Sequence, residues 1–469
     1  MRGSWSEKLS RDSLGVVMVL TLLALITFTP GFFSIPQIDR EEARFAQATK
    51  QLLESDDLID NQFQDQTSAL SPPGAYWMQA ASASNLGGAE APIWAFRIPS
   101  LIGAILAVLL TYWATIPLFG RRAAFIAAMM MSSCLFLSLE ARLATSDAVL
   151  LACATAAFGA FARIHMKRTV GFFPPFVLWT AIGLGVLVKG LILLGPLIGA
   201  MIWMSFKKGR TGFLSRLRVI PGLLWALVLC VPWFLTIWLQ TDGMPFGDGL
   251  GEKRLAGIDR YWAPPGVHLA SFFLTFWPWT ILFFLALPFA WDKRQSHAFR
   301  LLFGWIIPFW VVLEVVPIKL PHSTLDLFPA IAILTAGVLR STLLELEDPV
   351  RGWKFWVPLI LWLIPAIGIP AAAIAGPYFI EGAFEPVAVV FGALALICLI
   401  VCLRTLMRWR LWPFVKFATA AAVLSYVALF FGAVPAIKTQ FIAPRIDATL
   451  ELRDPLEKAA LVDSVTGRR

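Results

Sequence analysis

Ionisable side chains interrupt or border the apolar runs of this chain at Arg97, Arg142, Asp147, Lys189, His268, Lys319, His322 and Asp326. A charged group at bilayer depth costs about 2.5–3.5 kcal/mol on the insertion scale, so such residues usually line a site. Singly, each has a plainer account: a lysine at a helix end snorkels more often than it binds. Several together, of both signs, point to a pocket for an anionic, lipid-borne ligand. A second concentration of charge opens the stretch 38–79, as Asp39-Arg40-Glu41-Glu42-Ala43-Arg44-Phe45-Ala46. From Ser34 to Ala95, nine Asp or Glu stand against three Lys or Arg. Acids in a helix's first turn stabilise its dipole by about 0.3–1 kcal/mol and need no catalytic role. Arg44 is likewise placed as an i, i+3 partner for Glu41.

The elements that must position these residues follow from local signals. Pro36 stops the first apolar run. Asp39 suits an N-cap, and Glu42 three residues later completes a box-like arrangement. Phe45, Ala48, Leu52 and Leu53 then share one face of an amphipathic helix lying along a membrane interface, and Asp56-Asp57 ends it. Ser71-Pro72-Pro73-Gly74 reads as a turn. After it, Ala75–Asn85 forms a second interfacial helix, anchored by Tyr76 and Trp77.

The frame around this loop is a membrane protein. Of 469 residues, 58% are hydrophobic and 15% charged, against about 25% charged in soluble domains. A helix needs about 20 apolar residues to cross a bilayer, and such runs recur about thirteen times. They lie near Leu14–Phe33, Ile98–Leu118, Ala123–Leu139, Ala148–Phe161, Phe172–Val188, Leu191–Phe206, Val219–Leu239, Val267–Ala290, Leu301–Val316, Thr324–Leu339, Trp356–Ala375, Val387–Leu403 and Pro413–Ile437. Every second connection is basic: Arg121-Arg122, Lys167-Arg168, Lys207–Arg210, Lys293-Arg294, Arg351–Lys354 and Arg404–Arg410. By the positive-inside rule these face the cytoplasm. The acidic loop, Arg142–Asp147, Lys189, Asp242–Trp262 and Lys319–His322 then share the opposite face. The expected organisation is a cytoplasmic N-terminus (1–13), a transmembrane unit (14–437) with its loop at 35–95, and a short tail (438–469). The net charge of +9 therefore reports membrane orientation; no basic domain is present to bind nucleic acid. Cys134, Cys153, Cys230, Cys398 and Cys402 all lie in apolar runs without zinc spacing.

At this point the sequence resembles the first periplasmic loop of bacterial GT-C glycosyltransferases of family 39/83, the aminoarabinose-lipid A transferase and protein O-mannosyltransferase-like enzymes. The resemblance rests on Asp39–Ala46, then a Pro-containing turn before Gly74-Ala75-Tyr76-Trp77. Supporting matches, in family order, are Arg97-Ile98-Pro99-Ser100, Val188-Lys189-Gly190, Tyr261–His268, Phe276-Trp277-Pro278-Trp279 and Lys319-Leu320-Pro321-His322. It implies an all-α polytopic GT-C fold in the bacterial inner membrane. It also implies inverting transfer of a sugar from a polyprenyl-phosphate donor to a cell-envelope glycolipid or protein on the periplasmic side. Glu41 or Asp39 is then the expected base. Glu42, Arg44, Tyr76, Arg97, Arg142, Asp147, Lys189, His268, Lys319 and His322 are the expected substrate contacts. A divalent metal assists some relatives, but no ligand set is identifiable here. The aminoarabinose enzymes carry a sizeable C-terminal domain that the tail is too short to supply.

Three departures bear on that expectation. The family usually has Asp-Glu where this chain has Glu41-Glu42. It commonly has Lys where Ser71 stands. After His322 its relatives carry an aromatic residue and later a Pro, against Ser323 and Asp326 here. A methylene moves a carboxylate by about 1 Å, and such a displacement can cost about 10² in rate. A different donor or acceptor, or a catalytically degenerate member that binds polyprenyl phosphate, fits these changes. A transporter also accommodates many spans and intramembrane charges, although no inverted halves are visible.

Overall fold

The computed structural model describes residues 13–38, 40–55, 57–59, 62–63, 66–67, 72–166, 171–205, 215–240, 261–341, 352–437 and 441. The expectations for residues 1–12, Asp39, Ser71, most of the 242–262 connection and most of the tail fall outside the described residues.

The described chain is helical apart from a hairpin of two-residue strands, Gln62–Phe63 and Gln66–Thr67, and an isolated bridge between Trp262 and Ile318. The first apolar run forms α1 (Ser13–Phe28), which ends before the expected Phe33. Pro30 cannot donate to the ladder, and Gly31 follows at φ 77° with the Phe430 carbonyl where a Cβ would stand. Next come α2 (Arg40–Ser55) and α3 (Gly74–Ser84). Both are too short and too polar to cross a bilayer. Ala46, Ala48, Thr49 and Leu52 form the buried face of α2, and Phe45 stacks on Tyr76 of α3 at 5.1 Å.

The central bundle follows. In chain order it holds α4 (Ile93–Ser132), the short α5 (Leu135–Glu140), α6 (Asp147–Met166), α7 (Phe173–Lys189), α8 (Leu194–Ser205) and α9 (Val219–Gln240). It continues through α10 (Val267–Thr275), α11 (Thr280–Asp292), α12 (His297–Val315) and α13 (Phe328–Ser341). Three helices close the chain: α14 (Trp353–Glu381), α15 (Pro386–Met407) and α16 (Leu411–Tyr426), the last prolonged by a π-helical turn, Val427–Ala433. α4 packs against α1, α6 and α13, and α6 against α7.

Thirteen spans is more than the described helices provide. Nine are long and apolar enough to cross, or ten if the bent pair α10–α11 counts as one. The difference comes from adjacent runs that join. Two expected spans share α4, interrupted at Gly120, whose φ of 80° and ψ of 177° are non-helical. Two more are continuous as Phe173–Ser205, broken by a 3₁₀ turn at Gly190–Leu193. α1 falls short of span length.

Phe276-Trp277-Pro278-Trp279 is the corner between α10 and α11, which meet at 119°. Trp277 and Trp279 are fully buried. The Trp277 carbonyl accepts from Leu135 N–H at 3.0 Å, and the Pro278 carbonyl from Trp362 Nε1 at 2.8 Å. Tyr426 donates to the Ser133 carbonyl at 2.9 Å, and Trp279 Nε1 to Ser133 Oγ at 3.2 Å. This corner therefore locks the break between α4 and α5, and with it the start of the turn that carries the site.

Candidate active site

The turn 141–146, between α5 and α6, is held from several sides. Glu42 lies in the first turn of α2 and is fully buried. It reaches back to Ile38 N–H at 3.2 Å and accepts from Ala144 N–H at 3.1 Å. On α3, buried Gln79 donates to the Ala144 carbonyl at 3.0 Å while accepting from Thr49 Oγ1 at 2.8 Å. From α4, Ser100 donates to the Thr145 carbonyl at 2.9 Å. Both backbone groups of Ala144 are thus taken up by the two loop helices.

Arg97 fixes those helices to the bundle. Its Nε lies 2.7 Å from Glu42 Oε1 and its Nη2 3.1 Å from Oε2. The remaining bonds go to the carbonyls of Phe32, Ile35 and Pro36. A guanidinium has five N–H donors, and these five bonds occupy them all. Arg142 is equally enclosed. It donates to the carbonyls of Thr27, Pro30 and Ser138 and to Ser138 Oγ, with its guanidinium 4.3 Å from the Phe430 ring centre. Lys319 donates to the Leu313 and Glu314 carbonyls at 2.7 and 2.6 Å, satisfying the C-terminal end of α12. Glu314 in turn accepts from Gly266 and Leu269 N–H at the start of α10. His268, beside this pair, is buried, and its Nε2 makes no hydrogen bond among the described residues. The structure therefore gives Glu42, Arg97, Arg142 and Lys319 bonds that hold the frame. Tyr76 is buried against α2, and Arg44 is exposed.

A different set of the expected residues converges beside the turn. Lys189, at the end of α7, places Nζ 2.6 Å from Asp147 Oδ1 at the start of α6. Glu41 Oε2 lies 3.9 Å from His322 Nδ1. Glu41 and Glu42 are adjacent but differ in setting: the Glu41 side chain is 38% exposed and the Glu42 side chain fully enclosed. Asp147 interacts electrostatically with both His322 and Lys189. Buried Asp326 interacts with Asp147 and Lys189.

Glu140 joins this cluster and was missed in the sequence. It ends α5, is buried, and accepts from Thr145 Oγ1 at 2.9 Å. Burial first, and Asp147 next, push its carboxyl well above the usual range; Glu41 adds to the rise, while Thr145 and Lys189 oppose it. The available signal was a carboxylate at the edge of an apolar run, in Ser138-Leu139-Glu140-Ala141-Arg142.

No three His, Cys, Asp or Glu side chains group as a metal-ligand set among the described residues. Chemically, the cluster offers an accessible carboxylate, Glu41, across from two nitrogen groups, Lys189 and His322, in an otherwise enclosed setting.

Comparison with known proteins agrees with this architecture. The family profile for dolichyl-phosphate-mannose-protein mannosyltransferase matches residues 71–238. The chain is 24% identical over 413 residues to the undecaprenyl phosphate-alpha-4-amino-4-deoxy-L-arabinose arabinosyl transferase of Aeromonas hydrophila, covering 84% of this chain and 74% of that one. A second transferase of this name, from Pseudomonas fluorescens, is 25% identical over 353 residues, 72% of this chain and 62% of that one. Among solved structures, ArnT from Cupriavidus metallidurans bound to undecaprenyl phosphate superposes with a TM-score of 0.73 at 17% identity, over 95% of this chain and 82% of that one. The expected GT-C fold is thereby established.

Proposed function

We propose that the chain, whose fold is that of the GT-C glycosyltransferases, is an enzyme of the aminoarabinose-transferase and protein O-mannosyltransferase type that moves a sugar from a polyprenyl-phosphate donor to a hydroxyl of a cell-envelope acceptor, lipid A, another glycolipid or a protein. The reaction takes place on the periplasmic face of the bacterial inner membrane, where the loop helices lie by the charge rule. The observation that carries this reading is the accessible Glu41 carboxylate, 3.9 Å from His322 and within electrostatic reach of Lys189.

Glu41 takes the proton of the acceptor hydroxyl as its oxygen attacks the anomeric carbon. The bond from that carbon to the phosphate oxygen breaks, and polyprenyl phosphate leaves with the electron pair. Attack from the opposite side inverts the anomeric centre. Phosphate is a good leaving group, so the remaining need is positive charge on its oxygens. Lys189 gives one of its three N–H donors to Asp147, and the ammonium supplies its further donors to the phosphate. His322, when protonated, adds a second cation. Asp39, the alternative base, lies outside the described residues. The described residues do not fit a divalent metal, because Asp147 is engaged by Lys189 and no ligand set forms. No step is therefore routed through one.

The test is turnover by the purified protein in lipid nanodiscs with undecaprenyl-phosphate sugars and lipid A. Mass spectrometry follows released undecaprenyl phosphate and the glycosylated acceptor. In parallel, envelope glycolipids and glycoproteins are compared between cells with and without the gene. Sugar transfer that disappears in Glu41→Gln supports the reading. Absence of turnover together with an unchanged envelope sinks it.

A further inference from the structure

Four carboxyl groups, Glu41, Glu140, Asp147 and Asp326, lie within electrostatic reach of Lys189, of His322 or of one another. A pocket for an anionic phosphate cannot carry all four as charges: carboxylates this close raise one another's proton affinity, and they repel the ligand. Two of them have a nitrogen group opposite, Asp147 the Lys189 ammonium at 2.6 Å and Glu41 the His322 imidazole at 3.9 Å. Glu140 is buried and has no such contact among the described residues; its close partner is the Thr145 hydroxyl.

We propose that Glu140 carries a proton in the working protein and serves as a neutral positioning residue, tying the turn 141–146 through Thr145 and leaving the Lys189 charge available to the donor phosphate. This deepens the functional reading above and rests on it. The groups facing Glu140 are Asp147 on α6, Lys189 on α7, Glu41 on α2 and Thr145 on its own turn. On Glu140, Asp147 outweighs Lys189, and the residue is 5% exposed. Asp326 is the rival for the proton, and the experiment includes it.

The measurement is binding of undecaprenyl phosphate to the full chain in nanodiscs, followed by tryptophan fluorescence from neutral to alkaline pH. A phosphate monoester, with a second pKa of about 6, is already almost fully charged across that range. Wild type is expected to weaken by about tenfold once Glu140 loses its proton, the effect of one unit of charge coupling. Glu140→Gln keeps the shape and cannot ionise, so it binds at neutral pH and shows no alkaline loss. Asp326→Asn keeps the wild-type loss. Thr145→Val removes the bond that favours the charged form, so the loss moves to higher pH; this variant leaves Glu140 in place should Glu140→Gln fail to fold. The proposal is overturned if Glu140→Gln keeps the alkaline loss, or if it melts like wild type yet no longer binds at neutral pH. An unmoved loss in Thr145→Val, or a loss abolished in Asp326→Asn, overturns it too. If wild type binds no undecaprenyl phosphate at any pH, the functional reading itself falls, and this inference with it.

Discussion

Glu42 and Arg97 meet through two oxygen–nitrogen contacts, 2.7 and 3.1 Å, with no exposure of either side chain. Their pairing joins the first turn of α2 to the start of α4, and the Glu42 carboxylate continues to Ala144. Removing one partner strands the other charge in an enclosed place, which costs about 3–5 kcal/mol. Glu42→Gln and Arg97→Ala are therefore expected to lower the melting temperature in detergent and the yield of folded protein. Arg97→Lys does not rescue, because three donors cannot replace five on a planar fork. A melt within experimental error of wild type for Arg97→Ala would refute the frame role.

Glu41, one residue earlier, is expected to behave in the opposite way. Its side chain is 38% exposed and 3.9 Å from His322, so Glu41→Gln removes a weak contact and should change stability by less than about 0.5 kcal/mol. Transfer should fall by about 10²–10⁴, the range for a lost general base. The comparison to make is melting temperature against turnover for both glutamate variants. Equal damage by each measure would dissolve the distinction between them.

Gln79 bridges α2 and the turn 141–146 with bonds of 2.8 and 3.0 Å. Gln79→Leu leaves the Ala144 carbonyl without that partner, at about 1–3 kcal/mol for a buried group left unsatisfied, while Thr49 Oγ1 keeps the Phe45 carbonyl at 2.9 Å. Hydrogen exchange should accelerate in 141–146 and along α2 but not in α15 or α16. Thr49→Val combined with Gln79→Leu should cost less than the two separately, since the pair shares one bond.

Much of this was legible beforehand because local rules act on it. Apolar run length announced the bundle, Asp56-Asp57 bounded α2, and Phe45, Ala48 and Leu52 defined its inner face before Tyr76 was seen to cover it. The number of crossings was less legible. Gly120 and Gly190 interrupt the backbone beside Arg121-Arg122 and Lys189, and charges between two apolar runs do not tell a connection between separate spans from a break within one long helix. The distinction between Glu41 and Glu42 was also hidden. Both occupy a helix's first turn, and long-range partners decide their settings: Arg97 and Ala144 for Glu42, His322 for Glu41. Glu140 escaped notice because its meaning depends on Asp147 and Lys189, seven and forty-nine residues away in the chain, and on a turn that folds it inward.

Stability should also report the Glu140 proton directly. Its folded carboxyl is raised above the ordinary value by burial and Asp147, so the folded state holds the proton more tightly than the unfolded chain does. The associated stability is fully present below the ordinary carboxyl pKa and is lost as pH rises through the raised one. Glu140→Gln removes that dependence. Its melting temperature is therefore expected to decline less than that of wild type toward alkaline pH, with chemical denaturation giving the same order. A steeper decline in the variant would show that the carboxylate is the form the fold prefers.

Lys189 and Asp147, 2.6 Å apart, offer the sharpest separation of donor binding from chemistry. Lys189→Met removes the ammonium proposed to hold the leaving phosphate, where loss of one stabilising donor costs about 10²–10³ in kcat. It also leaves Asp147 without its counter-charge, so the KM for the polyprenyl-phosphate donor should rise as well. Asp147→Asn acts differently: the ammonium stays, its counter-charge goes, and a binding gain is opposed by a less well placed Lys189. Its KM should rise less than that of Lys189→Met, or fall, while kcat drops. Added salt screens a partly buried pair much less than an exposed one, so the contrast should persist at high ionic strength. Steady-state kinetics on both variants at two salt concentrations decides the matter. A Lys189→Met protein with wild-type KM and kcat would remove Lys189 from the phosphate site.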